Sequence, residues 1–292
     1  MVRKIIIVIL SINFVTVLRV LGKHVPAKNR CDGSVELHGK HHKQHVLAKG
    51  IDRPYQLAYY NHTHKLFYSY NLEEKAEDTF ALAYLDTWNS SKIMEVGGVR
   101  NGFATAVDED GRAVYFGGSE GVYKYHPEGN DTGVKEIVPH VNVWDMFYGN
   151  RTLYYITYPR QKLYKLNVHD DKAEPERVAS VHEEIYQFAL DGAHDMYITN
   201  RTGVYRVRNG TDDRIHYRGE TMFRAVAVDR KGEVHFAGRH GIFVARDDKQ
   251  NHTLHEIAHV RNLFGLAFDE KNDIIYADYH EIVKILPNIC GK

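Results

Sequence analysis

Cysteine, net charge and long apolar runs are what this chain has least of. Two cysteines, Cys31 and Cys290, in 292 residues exclude a disulfide-dense scaffold and a cysteine-based zinc module. The 38 lysines and arginines are matched by 38 aspartates and glutamates with no basic cluster, so neither nucleic acid nor another polyanion is an expected partner. Beyond residue 22 no stretch approaches ~18 consecutive apolar residues, which excludes a helical membrane span and makes a membrane an unexpected partner. No arrangement of Ser, His and acid stands out, so no catalytic residue is nominated.

What is there begins with a leader. Residues 1–22 carry Arg3, Lys4 and Arg19, no acid, and fourteen mostly apolar residues from Ile5 to Leu18. A basic start, an apolar stretch too short to span the membrane, and small residues at Val20 and Gly22 predict a secretory signal peptide over 1–22. Without those three cations, 35 basic residues face 38 acidic ones, and the mature chain is slightly acidic. Export accords with seven Asn-x-Ser/Thr sequons, at Asn61, Asn89, Asn130, Asn150, Asn200, Asn209 and Asn251, each predicting a glycan on a surface loop. In an oxidising compartment the cysteine pair predicts a Cys31–Cys290 disulfide. Closing so long a loop stabilises by roughly 5 kcal/mol at most. It also requires the two ends of the mature chain to lie within ~7 Å.

One pattern recurs along the chain: an apolar strand, a turn rich in acid and glycine, a Tyr/Phe-rich strand, then a short third strand. It is seen in QLAYYNHTHKLFYSY from Gln56, TAVDEDGRAVYFGG from Thr105, MFYGNRTLYYITY from Met146, FALDGAHDMYITN from Phe188, VAVDRKGEVHFAG from Val226 and LAFDEKNDIIYAD from Leu266. With Ala58, Ala106, Phe147, Ala189, Ala227 and Ala267 as equivalent anchors, the spacings are 48, 41, 42, 38 and 40 residues. Units of this length predict an all-β, six-bladed β-propeller forming one domain over 23–292, with units starting near residues 54, 101, 142, 184, 222 and 262. Turns 108–111 and 229–232 suit a last position with positive φ, taken by Gly111 and Gly232. The sixth unit ends without a fourth strand, whereas QHVLA near residues 44–48 resembles the fourth strands of other units. The N-terminal strand is therefore expected to close the ring. The preceding run HGKHHKQH, with His38, His41, His42 and His45, could bind a transition metal, but without interleaved acids it is read as a solvated lead-in and no metal site is assigned.

In a propeller, the chain entering each innermost strand and leaving each second strand meets at one channel mouth, the default ligand site. Three residues before each anchor stand Tyr55, Phe103, Trp144, Tyr186, Arg224 and Phe264, a collar able to stack on a flat π-system or to pack as core. Gln56, Asp145 and Gln187 follow them. Tyr70, Ser119, Tyr158, Asn200, Arg239 and Tyr279 end the second strands and add hydroxyl, amide and guanidinium groups. One acid among these positions undersupplies the oxygen shell of a calcium-dependent hydrolase.

Over essentially its whole length the chain resembles the lepidopteran ommochrome-binding proteins of insect blood. The likeness is carried by the leader, by CDG after the first cysteine, by NICGK at the end, and by YQLAYYNHTHKLFYSY and LFGLAFDEKNDIIYADYHEIVKI. That resemblance implies a non-enzymatic, secreted haemolymph carrier whose ligand is a flat, acidic, tryptophan-derived phenoxazinone pigment; no cofactor and a monomer are the accompanying expectations. Arg224 or Arg239 would then neutralise an acidic group of the pigment. It assigns no contact residues. The alternatives are a calcium-dependent lactonase- or esterase-like propeller and an extracellular protein-interaction propeller.

Overall fold

The computed structural model describes residues 33–72, 79–89, 92–129, 133–248 and 251–289. The expected signal peptide, both cysteines and Asn130 lie outside them. Apart from one short 3-10 turn, Asn61–Thr63, every described element is a β-strand, and all ladders pair antiparallel. Four sheets have four strands each, laid down in order from an inner strand outwards. Ala104–Asp108, Ala113–Gly117, Gly121–Tyr125 and Lys135–Pro139 form one of them.

Burial follows the same inside-to-outside order. Ala113–Gly117 is buried at every position, whereas Lys135–Pro139 is mostly exposed. Runs such as AVYFG and IIYA are apolar without alternation because both faces of those strands pack against neighbouring sheets. The cores lie between sheets: Leu57, Tyr59 and Leu66 of the first unit pack with Ala267, Ile275 and Ile282 of the last. Successive inner strands neighbour one another around the molecule, and Gly265–Phe268 returns to Tyr55–Tyr60. The architecture is all-β and propeller-like.

The repeat predicts six sheets, and the described residues form five, because one sheet has nine strands. Within it the N-terminal strand Lys40–Lys49 pairs with Glu281–Ile289, from His42 opposite Ile289 to Lys49 opposite Glu281. A short arm, Val35–Leu37, folds back on Lys40–Lys49 and reaches His252–Ala258 through Leu37 opposite Ala258. That one-residue contact merges the sheet of the fifth unit with that of the sixth. The histidine-rich run is accordingly no solvated lead-in. Its residues form a hairpin, with His42, Gln44 and Val46 half-buried on one face and His41, Lys43 and His45 exposed on the other. Single-sequence patterning misses this arm because three residues and a glycine turn carry too little apolar signal.

The turns divide. Gly232 takes φ +82° as expected, but at 108–111 the positive φ falls on Arg112, at +49°. Gly111 is needed for space instead: its N–H donates to Asp108 Oδ1 at 2.7 Å, and a Cβ there would sit 2.2 Å from Asp108 Oδ2.

Candidate ligand-binding site

The entrances to the inner strands alternate in construction. In the first, third and fifth units a β-bulge interrupts the ladder, with Gln56 and Leu57 opposed by Tyr68 alone, and with Trp144 and Arg224 unopposed. A bulge turns an extra side chain out of the pleat and sharpens the local twist. Gln56 takes φ +50°, a conformation that costs a non-glycine residue energy and persists only where neighbours hold it. The hydroxyl of Thr105 donates to its carbonyl. In the other units Phe103, Tyr186 and Phe264 stand one residue before the strand, tied by N–H bonds of 2.8–2.9 Å to the carbonyls of Gly117, Thr199 and Ala277. Two local geometries thus deliver six equivalent positions to one mouth.

Tyr55, Phe103, Trp144 and Phe264 form with Tyr158 and Tyr279 a continuous aromatic arc, while Tyr186 lines a cavity beyond Trp144. Centroid distances are 4.8 Å for Tyr279 to Phe264, 5.0 Å for Phe264 to Tyr55, 5.3 Å for Tyr55 to Phe103, 5.2 Å for Phe103 to Trp144 and 6.0 Å for Trp144 to Tyr158. The exposed Arg224 guanidinium lies 4.1 Å above the Phe264 ring. Phe264 is therefore enclosed, whereas Tyr158 and Tyr279, at 50 % and 44 % exposure, form the open ends. Two cavities flank Trp144. One of about 610 Å³ is lined by Tyr55, Phe80, Asn101, Phe103, Asn142 and Tyr158, and one of about 550 Å³ by Tyr186, Gln187, Asn200, Arg201, Met222 and Phe223. Each is in the size range of small-molecule pockets. The Trp144 indole N–H is buried and has no acceptor among the described residues.

Beneath the collar is a polar floor. Asp145 Oδ2 accepts the Phe188 N–H at 3.3 Å, and the Gln56 side chain and Met146 N–H also hold this carboxyl. Burial nevertheless dominates and pushes its pKa up to about 7. The Thr199 hydroxyl donates to Gln187 Oε1 and accepts the Gln187 N–H at 3.1 Å. Below, the inner strands enclose a channel of about 450 Å³ that reaches Glu109, Tyr148 and Arg230 at the far end.

Not every expected residue joins the mouth. Arg239 is exposed, and its carbonyl accepts Asn262 N–H at 2.9 Å, but its side chain takes no part in the arc. Tyr70 donates to Glu95 and lines a separate groove with Ile51 and Ile93. The second strand of the first unit, Lys65–Asn71, continues past Ser69, which stands opposite Tyr55. Ser119 spends its hydroxyl on the Arg100 carbonyl. Asn200 lies half-buried beside the second cavity and braces Thr202, whereas Asn89, Asn150, Asn209 and Asn251 are exposed. Phe80 was missed: it begins a third strand, Phe80–Asp86, and packs 4.6 Å from Phe103, outside the positions that the repeat singles out.

No family model matches the chain. It is 28 % identical over 274 residues to the ommochrome-binding protein of Manduca sexta, covering 93 % of this chain and 97 % of that one. Among solved structures it is similar to a gluconolactonase from Xanthomonas campestris, with a TM-score of 0.65, 12 % identity, and 86 % and 91 % of the two chains covered. A streptogramin B lyase gives 0.59, at 12 % identity over 84 % and 97 %. A WD40 β-propeller domain gives 0.55, at 12 % identity over 86 % and 96 %. At such identity these structures speak for the fold alone.

Proposed function

Because this chain belongs with the ommochrome-binding proteins, we propose that it holds an ommochrome-type pigment non-covalently at the aromatic mouth, as a secreted, monomeric carrier. The carrying observation is the unbroken arc from Tyr279 through Phe264, Tyr55 and Phe103 to Trp144 and Tyr158, with a cavity on each side of Trp144. A fused planar ring laid against such faces leaves water and stacks. Arg224 supplies positive charge for a carboxylate of the pigment, and the Trp144 N–H supplies a donor whose acceptor the ligand would bring. Tyr186, Gln187 and Asn200 would contact the pigment's polar edge.

The same reading includes six blades. The nine-stranded sheet divides at the Leu37–Ala258 contact into the fifth blade and a sixth completed by Lys40–Lys49. A Cys31–Cys290 disulfide would then lock strands that already run side by side.

We infer binding and not hydrolysis, although the fold likeness to gluconolactonases favours a lactonase as the second reading. A calcium ion takes six to eight oxygen ligands. The floor offers one carboxylate, Asp145, already engaged by Phe188, Met146 and Gln56. Xanthommatin titrated into the protein tests the reading. Trp88 is 74 % exposed and stacks on His64, so a Trp88→Phe background leaves Trp144 as the reporter. Saturable quenching is expected, and affinity read from the visible absorption of the pigment should be at least tenfold weaker in Trp144→Ala. No quenching, or turnover of lactones that depends on added calcium, overturns the proposal.

A further inference from the structure

Far from the mouth, one buried position breaks the repeat. Opposite the anchor residue of each inner strand stand Phe67, Tyr115, Tyr154, Tyr197 and Ile275, but in the fifth unit the residue opposite Ala227 is His235. Its side chain is 5 % exposed. Burying an imidazole where the five equivalents are tyrosine, phenylalanine or isoleucine costs desolvation, unless the ring has work that those side chains cannot do.

The surroundings indicate what that work is. His235 Nδ1 donates to the Glu233 carbonyl at 3.0 Å; in the neutral ring this tautomer leaves Nε2 as a lone pair, with no hydrogen bond to any described residue. This is how a metal-binding imidazole is usually oriented, its second nitrogen fixed by a backbone carbonyl. Asp229, at the start of the same turn, and Glu233, at its end, each bring a carboxylate, and one donor atom from each of the three residues lies within 4.8 Å of the other two. Donors around a tetrahedral ion are about 3.3 Å apart, so small rotamer changes close the set. Asp229 Oδ1 is steadied by the N–H groups of Lys231 and Glu233, and Oδ2 by Asn272. Arg246 holds Glu233 through Oε1, while Oε2 faces His235 Nε2 at 3.8 Å.

Across a cavity of about 200 Å³ the N-terminal hairpin faces this trio, with His38 and His42 in the lining. His42 repeats the arrangement of His235: its Nδ1 donates to the Leu286 carbonyl at 3.0 Å and leaves Nε2 free. His38 sits at the hairpin turn with φ +50°, its N–H bonded to the Ile257 carbonyl at 2.7 Å, so the turn is held over the fifth unit. His41 and His45 lie on the other, exposed face of the strand.

We propose that Asp229, Glu233 and His235 bind one divalent first-row transition-metal ion of the zinc type, and that His42 closes across the cavity onto it as the fourth donor, tying the N-terminal hairpin to the fifth unit. Mixed imidazole and carboxylate donors suit such an ion better than calcium or magnesium, which prefer oxygen alone. The site owes nothing to the pigment and is on another part of the fold.

The test uses the whole mature protein, produced without a histidine tag, stripped with chelator and titrated with Zn²⁺ by calorimetry and with Co²⁺ by visible absorption. One tight equivalent is expected, with the intense ligand-field bands of a four-coordinate Co²⁺ and a raised thermal midpoint that excess chelator reverses. His235→Phe, the residue type found at the equivalent place in the first unit, should weaken binding at least tenfold, and His42→Gln likewise. His41→Gln/His45→Gln should change nothing. Should His235→Phe fail to fold, His42→Gln and Glu233→Gln carry the test. Retention of wild-type affinity by His42→Gln or by a folded His235→Phe, or loss of affinity only in the His41/His45 variant, overturns the proposal, as does a wild type that takes up no metal.

Discussion

Asp145 shows how much one residue at the mouth has to bear. Its carboxyl keeps three hydrogen bonds and is still pushed up to about 7 by burial. For an acid whose folded pKa exceeds the unfolded value, the folded state holds the proton more tightly. Stability is therefore full below about pH 4 and declines as pH rises towards 7. Integrated over that interval the penalty is on the order of 4 kcal/mol at neutral pH. Asp145→Asn should remove this component: the difference in unfolding free energy between variant and wild type, measured by denaturant titration, should grow in the variant's favour from pH 4 to pH 7.5. A difference independent of pH would mean that Asp145 is ionised throughout. The repeat singles out six collar positions by one offset from each anchor, and of these Tyr55, Phe103, Trp144 and Phe264 meet in the arc. Arg239 and Tyr70 lie outside the arc, since side-chain direction at the ends of second strands is set by neighbouring sheets and not by the repeat.

Among elements, the strand Lys40–Lys49 has the largest role for its length. Leu47, 3 % exposed, packs in the cluster that holds Leu57, Ile275 and Ile282, so it joins the first unit to the sixth. Leu47→Ala should cost about 3 kcal/mol, read as a lowered midpoint of denaturation with unchanged slope. Amide exchange should accelerate in Glu281–Ile289 together with Lys40–Lys49, because the two share one ladder. A variant within ~0.5 kcal/mol of wild type would show that the strand is dispensable. The inner hairpins could be read from sequence, as their acid-and-glycine turns and aromatic second strands repeat. The arm Val35–Leu37 could not, and neither could the bulges at Gln56, Trp144 and Arg224, which are matters of ladder register with no residue type of their own.

For the whole molecule, the pairing of Lys40–Lys49 with Glu281–Ile289 in one sheet makes the two cysteines a statement about stability. A Cys31–Cys290 bond would cross-link nearly the full chain, and its loss in Cys31→Ser/Cys290→Ser should lower stability by about 3–5 kcal/mol. Intact mass before and after alkylation, with and without reductant, establishes whether the bond is present. Equal stability of the reduced and oxidised forms would refute the locking role.

The arc of rings is also lopsided. It sweeps from Tyr279 to Tyr158 on one side, with planes inclined at 87°, 52° and 32° between successive neighbours from Phe264 to Trp144, while Arg224 stands exposed beside it. A flat dye has no handedness of its own. Held against this staircase of tilted rings it would absorb left and right circularly polarised light unequally, and colour itself would carry the imprint of the fold.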